Sequence, residues 1–391
     1  MEYEIDFNEL KTLDRDNYVL IDIRDATAFD YGHIPGALNI PQEEVVERIK
    51  KFKQDKDIYI YCKSGIISYD IVDQLRDEGI RAFNLKGGYV EWLRHHIDDN
   101  IGDEVARRAE ESIRKKYHKQ LFSKFAKAIN TYDMIKPNDK IAVCISGGKD
   151  SMLMAKLFQE LKRHNKFNFE LVFLVMDPGY SPANREIIEH NAKTLNIPIT
   201  VFETDIFENV FNIEKSPCYI CARMRRGHLY NKAKELGCNK IALGHHYDDV
   251  IETILMGMLY GAQVQTMMPK LHSSNFEGME LIRPMYLIRE ADIKKWRDYN
   301  DLYFIQCACK FTDTCSSESC LVNKDSNTGS KRKQVKQLIH EISLKDPQIE
   351  ENIFKSVENV NLGTVIGYKD KNNVRHNFLD DYDTPTNTQS E

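Results

Sequence analysis

The fold of this chain is decided by the stretch Lys140-Ile141-Ala142-Val143-Cys144-Ile145-Ser146-Gly147-Gly148-Lys149-Asp150-Ser151. Its continuous apolar run is typical of a strand that is buried on both faces of a parallel sheet. A helical pattern resumes at Leu153, so the two glycines lie in a turn between a strand and a helix. Such a turn gathers backbone N–H groups and the positive end of the helix dipole, which together suit a bound anion.

On either side of this stretch, predicted strands and helices alternate in two separate segments. The predicted strands are 18–23, 57–61, 140–145, 171–176, 199–202 and 240–243, and the predicted helices are 42–52, 66–78, 153–161, 184–195, 221–236, 248–260 and 290–300. This alternation is typical of parallel sheets with helices on both faces. We therefore predict an α/β fold, with one parallel-sheet domain followed by a doubly wound, Rossmann-type domain.

The same patterns divide the chain into four parts. We predict a first domain at 1–96, a basic linker helix at 97–134, a second domain at 135–345 and an extension at 346–391. Basic and acidic side chains are mixed along the linker, which fits either a solvated helix or an arm that faces phosphates. The chain turns polar from about residue 370, so we expect a disordered tail.

Composition narrows the class of protein. The 391 residues are 42% hydrophobic and 29% charged, which excludes collagen-like, coiled-coil and disordered classes. Because the net charge is −6, any nucleic-acid site must be a local basic patch. The sequence has neither a long apolar run nor a signal-peptide core, so a cytoplasmic enzyme without a membrane segment is expected.

The nine cysteines indicate metal binding or catalysis rather than disulfide bonds, because no secretory signal accompanies them. Cys218-Tyr219-Ile220-Cys221 is a C-x-x-C pair, and Cys307-Ala308-Cys309 is a C-x-C pair. A tetrahedral zinc site is one alternative, although C-x-C strains chelation of one small ion by two thiolates. Three thiolates with an open position favour a [4Fe–4S] cluster, and a metal-free redox dithiol is the third alternative.

The loop after the predicted strand 57–61 is a candidate sulfur site. It reads Cys62-Lys63-Ser64-Gly65-Ile66-Ile67-Ser68, and its backbone N–H groups should converge on the loop centre. This environment suits a persulfide on Cys62, because the terminal sulfur of a persulfide is anionic. The alternative is an inert cysteine buried at a strand end.

The surrounding motifs resemble the rhodanese family over about 95 residues. They are Asp22-Ile23-Arg24, Gly32-His33-Ile34-Pro35-Gly36-Ala37 and Gly87-Gly88-Tyr89-Val90-Glu91-Trp92. The resemblance implies a rhodanese-like domain in which Cys62 carries sulfur. Ile66 and Ile67 replace the arginine that is frequent in such loops, which favours handing sulfur to a protein partner over binding a small anionic donor. The sulfur donor itself is left open, and a cysteine desulfurase is an expected partner.

The motif of residues 146–151 resembles the PP-loop ATP pyrophosphatases, whose fold is adenine nucleotide alpha hydrolase-like, and it lacks the longer Walker spacing. The alternative is a simple glycine-rich turn. The resemblance implies that ATP binds here, that AMP is transferred to a carbonyl oxygen and that pyrophosphate leaves. The implied nucleotide-binding residues are Ser146, Gly147, Gly148, Lys149, Asp150 and Ser151, with Lys149 and Asp150 as catalytic candidates.

Further candidates lie where other strands of the second domain end, since doubly wound folds bind ligands at that edge. Gly244, Asp248 and Asp249 follow the predicted strand 240–243. The two aspartates are candidate Mg²⁺ ligands, or one of them caps a helix. Asp177 either contacts the nucleotide or only begins the Pro178-Gly179 turn.

Residues from about 115 to 345 resemble the tRNA 2-thiocytidine synthetases. The shared motifs are Ser216-Pro217-Cys218, Arg223-Met224-Arg225-Arg226-Gly227, Gly244-His245-His246, Ile282-Arg283-Pro284 and Glu290-Ala291-Asp292-Ile293. The resemblance implies a [4Fe–4S] cluster on three cysteines, namely Cys218, Cys221 and Cys309, with Cys307 as the alternative third ligand. Cys315 and Cys320 have no assigned role, and Cys144 and Cys238 are expected in the core.

These resemblances together imply ATP-dependent thiolation of a tRNA cytidine at position 32, with sulfur relayed through Cys62. The candidate tRNA-binding residues are Arg223, Arg225, Arg226, Lys331, Arg332 and Lys333. A homodimer is left open. The alternatives are 4-thiouridine-type or small-molecule sulfuration, or a non-catalytic iron–sulfur sensor that binds ATP. Release of pyrophosphate that depends on tRNA would exclude the sensor.

Overall fold

The computed structural model describes residues 3–52, 56–98, 103–164, 166–206, 217–306, 331–380 and 382, of which 96–98, 103 and 217–222 are described by their backbone alone. The chain forms two compact units, Met1–Asp249 with Met268–Lys333 and Val250–Met267 with Gln334–Glu391. Within the described ranges, no helix has the length and apolar character needed to cross a membrane. The four-part division predicted from sequence stays a prediction.

The first unit contains both large sheets. Its strands are β1 (Glu4–Ile5), β2 (Tyr18–Asp22), β3 (Leu38–Asn39), β4 (Asp57–Tyr61), β5 (Ala82–Leu85), β6 (Lys140–Ile145), β7 (Glu170–Asp177), β8 (Ile199–Glu203), β9 (Lys240–Ala242), β10 (Lys270–His272) and β11 (Glu280–Ile282). Its helices are α1 (Phe7–Thr12), α2 (Ala26–Tyr31), α3 (Gln42–Ile49), α4 (Ile66–Asp77), α5 (Gly88–Asp98), α6 (Asp103–Arg114), α7 (Ser123–Thr131), α8 (Lys149–Arg163), α9 (Pro182–Thr194), α10 (Pro217–Glu235) and α12 (Glu290–Tyr299). Helices α11 (Tyr247–Gly261) and α13 (Lys331–Ser343) begin in the first unit and end in the second.

The first sheet has five parallel strands in the order β1-β5-β4-β2-β3. Its central strands bury apolar side chains such as Ile21 and Ile60, both fully excluded from solvent. The loop between β4 and α4 turns at Gly65, whose φ of +82° is in the left-handed region. A Cβ there would lie 2.7 Å from the backbone nitrogen of Gly87, so only glycine lets the two loops approach. This close approach shapes the surroundings of Cys62.

The second sheet has the strand order β10-β11-β9-β6-β7-β8, and all neighbours are parallel except the pair β10 and β11. From β6 the chain builds β7 and β8 on one side and then returns to β9 on the other. The loops after β6 and β9 therefore meet at a topological switch point. The predicted α/β fold with two successive parallel sheets is confirmed. Strands β10 and β11 were not predicted, because each is short and carries charged residues.

The segment that was predicted as one long helix is two helices, α6 and α7, joined by a π-helical turn at His118–Phe122. The amide N–H of Tyr117 donates to the carbonyl of Ser112 at 2.8 Å, five residues back, which widens the helix at this point. One face of the segment is fully buried, through Ala109, Ile113, Leu121 and Phe125. This face packs into the core, so the description as a solvated linker does not apply to it.

The second unit contains α14 (Ile349–Ser356) and an antiparallel hairpin of β12 (Gly367–Lys369) and β13 (Arg375–Asn377). The expectation of disorder from about residue 370 is therefore wrong for the hairpin. The carboxylate of Asp370 accepts the N–H groups of Asn372 and Val374, each at 2.9 Å, and these bonds close the turn without any apolar core. Residues 383–391 lie outside the described ranges.

Replacement of Trp296 tests how far the first unit depends on packing against α6. The Trp296 side chain is fully buried, and its Nε1 donates to the carbonyl oxygen of Ala109 at 3.3 Å. We expect Trp296→Ala to lower the free energy of unfolding by about 3–5 kcal/mol, measured by urea unfolding, because it leaves a large cavity. Lys295→Ala, at a side chain that is 69% exposed on the same helix, is the control and should change little. Equal losses in the two variants would contradict the packing described here.

Candidate active site

A cavity of about 450 Å³ lies at the switch point of the second sheet. Five of the predicted nucleotide-binding residues line it, namely Ser146, Asp150, Ser151, Gly244 and Asp249. Their position follows from strand order, because the loops after β6 and β9 end at the same edge of the sheet. Lys149, Asp177 and Asp248 are not among the lining residues.

The glycine loop is held in shape by its own backbone and by two serines. Gly147 has a φ of +86°, and a Cβ there would lie 2.5 Å from the Ile188 side chain, so the position requires glycine. The N–H of Ser146 donates to Ser151 Oγ at 3.2 Å, and that hydroxyl donates to the carbonyl of Gly148 at 2.9 Å. These bonds tie the end of β6 to the first turn of α8, whose backbone N–H groups suit a phosphate.

Lys149 lies in an ion cluster rather than at the cavity wall. Its Nζ is 3.0 Å from Asp150 Oδ2 and 3.2 Å from Glu290 Oε1, and the side chain is only 3% exposed. Burial alone would lower the pKa of Lys149, but the two carboxylates outweigh it, and the net pKa is raised. The lysine therefore stays charged and balances the two acids. Glu290 was not predicted as a site residue, since its partner is far away in the sequence.

Asp150 connects this cluster to the cavity. Its Oδ2 is paired with Lys149, whereas its Oδ1 is buried and has no hydrogen-bond partner among the described residues. A buried carboxylate oxygen without a partner is costly, and a hard cation such as Mg²⁺ would satisfy it. Asp150 therefore fits the catalytic and nucleotide-binding roles predicted for it, which stay predictions, and a magnesium-binding role was not predicted for it.

The two adjacent aspartates of α11 have different environments. Asp248 accepts the backbone N–H of Glu290 at 2.7 Å and also contacts Arg289, so it caps the start of α12. Asp249 accepts the backbone N–H of His246 at 3.0 Å and contacts Arg332 at 3.2 Å, at the cavity wall. Both aspartates therefore make helix-capping contacts, Asp248 at the start of α12 and Asp249 at the start of α11, and Asp249 is the one of the pair that lines the cavity where a Mg²⁺ ion could bind.

Asp177 organises the turn after β7. Its Oδ1 accepts the N–H groups of Gly179 at 2.8 Å and Tyr180 at 2.6 Å, and its Oδ2 accepts a bond from Arg185 at 2.8 Å. Burial raises the pKa of Asp177, but these donors outweigh burial, and the net pKa is lowered. The geometry fits the turn alternative, since both oxygens are used within the turn and by Arg185.

Two residues with shifted pKa values, His245 and the buried Arg283, were quoted in motifs but not predicted as site residues. His245 lines the cavity, and its buried Nδ1 lacks a hydrogen-bond partner in the part of the chain that the structure describes. Burial, followed by the charge of Arg283, lowers the pKa of His245 to about 4, so the imidazole is neutral near pH 7. Burial, followed by the charge of Arg226, also lowers the pKa of Arg283, to about 10. Neither effect can be seen in the sequence, because both arise from tertiary burial.

Positive charge gathers on one side of the cavity. Arg225, Arg226 and Arg332 line it, and the Arg332 guanidinium also contacts Asp249. Outside the cavity wall, Arg223, Lys331 and Lys333 are exposed. This arrangement suits phosphate groups inside the cavity and along its rim, since arginine binds phosphate oxygens in a bidentate manner.

The first sheet carries a separate sulfur site. Cys62 follows β4, and its thiol is 1% exposed. The N–H of Gly65 points at Cys62 Sγ from 3.1 Å, and the Ser68 hydroxyl lies 3.4 Å from the same sulfur. A backbone N–H that points at the sulfur can stabilise negative charge there. This contact fits the persulfide expected on Cys62, whereas the burial fits the alternative of an inert cysteine, so the sulfur-carrying role stays a prediction.

Asn84 fixes the orientation of this sulfur site and was not predicted. Its Oδ1 accepts the Ser68 hydroxyl at 2.6 Å, while its Nδ2 donates to the carbonyl of Gly65 at 3.0 Å and to Glu4 at 3.1 Å. The Ser68 Oγ in turn accepts the backbone N–H of Cys62 at 3.2 Å. Because Asn84 lies in the short strand β5, its position next to the loop depends on parallel strand pairing.

The cysteine cluster cannot be placed in full. Cys218 and Cys221 lie three residues apart near the start of α10, where residues at that spacing share one helix face. Their side chains, and all of Cys307, Cys309, Cys315 and Cys320, lie outside the described residues. Cys144 and Cys238 are buried free thiols, as expected, and burial raises the pKa of Cys144 to about 12.

The titration of His245 gives a test that needs no ligand. Its pKa in the folded protein, about 4, is below the value of about 6.5 in an unfolded chain. The folded state is therefore destabilised as the pH falls from about 6.5 to 4, by at most about 3 kcal/mol from this group. We expect the free energy of unfolding of the His245→Gln variant to fall less steeply than that of the wild type as the pH is lowered over this range. His272→Gln, at a side chain that is 84% exposed, should keep the wild-type slope, and a wild-type slope in both variants would contradict the burial of His245.

Two domain families match the chain. The PP-loop domain family matches residues 116–309, and the rhodanese-like domain family matches residues 7–95. The first range contains the glycine loop and the cavity, and the second contains the Cys62 loop.

Among similar proteins, the tRNA-cytidine(32) 2-sulfurtransferase of Janthinobacterium sp. (strain Marseille) is 35% identical over 248 residues, which are 63% of this chain and 74% of the relative. The protein of the same name from Herminiimonas arsenicoxydans is also 35% identical, over 63% of this chain and 73% of the relative. The solved structure of the U34-tRNA thiolase NcsA from Methanococcus maripaludis with its [4Fe-4S] cluster aligns with 60% of this chain and 76% of that chain, at 21% identity and a TM-score of 0.47. On the identity and coverage of the two relatives, this chain belongs to the tRNA-cytidine(32) 2-sulfurtransferase family, and it also carries a rhodanese-like domain.

Proposed function

We propose that this protein uses ATP to activate the 2-oxygen of a tRNA cytidine and then replaces that oxygen with sulfur, and that the target is position 32. The relatives that show the family bear this activity in their names. The observation that carries the proposal is the cavity at the switch point, where the glycine loop, two carboxylates and three arginines come together. This set of groups suits transfer of AMP, which is catalysed mainly by positioning and charge neutralisation.

Activation is needed because the oxygen on a pyrimidine carbon is a poor leaving group. In the proposed step, the base oxygen attacks the α-phosphorus of ATP, an O–P bond forms and pyrophosphate leaves. The first turn of α8 and the hydroxyls of Ser146 and Ser151 would bind phosphate oxygens. Arg225 and Arg226 would neutralise the charge that develops on the leaving group.

Asp150 and Asp249 would hold the Mg²⁺ that accompanies ATP. Asp150 offers its buried Oδ1, which accepts no hydrogen bond from the described residues and lies 4.0 Å from His246 Nε2, and Asp249 lies at the cavity wall. A bound Mg²⁺ would screen the phosphate charges during transfer.

His245 is suited to contact the base itself. With a pKa of about 4, it is a neutral imidazole near pH 7 that can form a hydrogen bond to a base edge without adding charge. A base that is turned out of its stack would enter the cavity and be bound in this way. Exposed Arg223, Lys331 and Lys333 would hold the tRNA backbone, with an affinity that falls as salt rises.

Cys62 would supply the sulfur as a persulfide that is loaded by a protein donor such as a cysteine desulfurase. The Gly65 N–H, which lies 3.1 Å from Cys62 Sγ, would stabilise negative charge on the persulfide. Release of that sulfur as sulfide breaks the S–S bond and requires two electrons, which a second thiol would supply. Sulfide would then displace AMP from the activated base and form the new C–S bond.

The cysteine pairs fit an iron–sulfur cluster by the chemistry of their donors. We propose Cys218, Cys221 and Cys309 as ligands of a [4Fe–4S] cluster, with Cys307 as the alternative third ligand. Three thiolates would leave one iron without a protein ligand, and that iron is chemically suited to bind sulfur. The homodimer stays a prediction.

The matched pair Asp150→Asn and Asp177→Asn tests the activation step. We expect Asp150→Asn to lower the rate of tRNA-dependent pyrophosphate release at least about 100-fold, because the variant loses the charge offered to Mg²⁺. Asp177→Asn should keep the rate per folded molecule and instead lower the Tm, since that carboxylate holds a turn. The measurement is pyrophosphate released per enzyme under oxygen-free conditions. Equal rate losses in the two variants would argue against the assigned roles, and wild-type enzyme that never releases pyrophosphate with tRNA would refute the proposed function.

Cys62→Ser tests the sulfur relay. After incubation with a cysteine desulfurase and cysteine, the wild-type peptide that contains Cys62 should gain the mass of one sulfur atom, and the Cys62→Ser peptide should not. In cells whose only copy is Cys62→Ser, we expect tRNA to lose most of its 2-thiocytidine in nucleoside analysis. Cys238→Ala, which removes a buried thiol far from the loop in sequence, is the control. Wild-type levels of thiolation in the Cys62→Ser strain would exclude the relay while leaving the activation step intact.

A further inference from the structure

Tyr31 of the rhodanese-like domain reaches into the PP-loop. It is the last residue of α2, and its hydroxyl accepts the backbone N–H of Lys149 at 2.9 Å. The same hydroxyl donates to the carbonyl oxygen of Ile305 at 3.1 Å. The Lys149 ammonium also lies over the Tyr31 ring, 4.9 Å from its centre. One phenol therefore links α2, the first residue of α8 and the segment after α12.

Other contacts hold α2 and α5 against the PP-loop domain. The Arg297 side chain donates to the backbone carbonyl of Tyr31. The Trp92 ring meets the Tyr303 ring edge to face at 5.2 Å, and the Arg94 guanidinium is 2.8 Å from Glu186. The fit at the phenol is close, since a Cβ added at Gly148 would lie 3.3 Å from the Tyr31 hydroxyl oxygen.

Lys149 does not line the cavity, but its N–H belongs to the first turn of α8, whose donors a nucleotide phosphate bound at that end of the helix would use. Lys149 is the first residue of α8, and the backbone N–H groups of a first helical turn point outward along the helix axis. Phosphate oxygens that bind at this end of α8 would accept hydrogen bonds from the same donors. A single N–H cannot serve the phenol and a phosphate oxygen at full strength, so the two acceptors compete.

We propose that Tyr31 is a latch by which the rhodanese-like domain opposes nucleotide binding: the phenol takes the Lys149 N–H, and a nucleotide phosphate must displace it. The proposal rests on the proposed function, because it presumes that the glycine loop binds ATP. By linkage, a nucleotide that displaces the phenol weakens the contact between α2 and the PP-loop domain by the same factor. The latch therefore makes nucleotide binding and the position of the sulfur carrier depend on each other.

The environment of the phenol supports this role. Burial, followed by the negative charge of Asp150, raises the pKa of Tyr31 well above its ordinary value. The hydroxyl therefore stays protonated, so that it donates to Ile305 while it accepts from Lys149. The hydrogen bond from the Tyr31 hydroxyl to Ile305 can persist when the hydrogen bond from the Lys149 N–H breaks. The nucleotide therefore has to displace only one hydrogen bond.

The test compares Tyr31→Phe with the wild-type protein, using Mg²⁺ and an ATP analogue whose methylene bridge prevents cleavage between the α- and β-phosphates. Tyr31→Phe removes only the hydroxyl, so the analogue no longer has to displace it. We expect binding about three- to tenfold tighter by calorimetry, together with a lower Tm in the absence of nucleotide, since Lys149 and Ile305 lose their partner. Tyr18→Phe, in β2 of the same domain, is the matched control and should keep the wild-type dissociation constant.

Unchanged or weaker binding in Tyr31→Phe would overturn the latch, because a tyrosine that only stabilises the fold gives no reason for tighter binding. Should Tyr31→Phe fail to fold, Arg297→Gln tests the same contact from the other side and should also bind the analogue more tightly. In the wild-type protein, saturating analogue should raise deuterium uptake at residues 26–32, and unchanged uptake would also count against the latch. Wild-type protein that does not bind the analogue would instead refute the proposed function.

Discussion

The chain places β7 and β8 on one side of β6 and then places β9 on the other side. This reversal of direction leaves a crevice at the carboxyl ends of β6 and β9. The glycine loop and the loop that starts at Leu243 end at this opening, so groups separated by about a hundred residues line one cavity. The residues of the loops supply the chemistry, but strand order brings them together. The same loop sequences on a sheet with another strand order would not form this cavity.

The charged side chains near the cavity form two neighbouring groups, one buried and one at the cavity wall. Lys149 is paired with Asp150 and Glu290 below the surface, whereas Arg225, Arg226 and Arg332 line the cavity. A buried lysine that balances two carboxylates cannot give its full charge to a phosphate without leaving them unpaired. The arginines at the cavity wall are less constrained by their ion-pair partners, because they remain partly in contact with solvent. The geometry therefore favours the arginines as phosphate-binding groups and gives Lys149 the role of holding Asp150 in place.

The sequence allowed the fold to be predicted because parallel strands that are buried on both faces leave continuous apolar runs, and because two glycines mark the turn after β6. It did not separate the roles of Asp248 and Asp249, since the partner that makes Asp248 a helix cap, Glu290, is 42 residues away. The neutral state of His245 and the position of Asn84 were missed for the same reason. Each depends on which distant segments pack together, and local patterns of residue type carry no information about that. The hairpin around Asp370 was missed for a different reason. Its stability comes from turn hydrogen bonds rather than from an apolar core.

The proposed relay gives a chemical reason for joining a rhodanese-like domain to a PP-loop domain. A base that carries AMP can be attacked by water as well as by sulfur, so activation before sulfur is available would waste ATP. A persulfide has the opposite problem, since its terminal sulfur is lost to any accessible thiol. Cys62 is only 1% exposed, which would protect a persulfide there, and Tyr31 of the same domain contacts the loop that would bind the nucleotide. Under the proposed latch, the phenol and the nucleotide compete for one N–H, and this competition would make nucleotide binding depend on the position of the rhodanese-like domain.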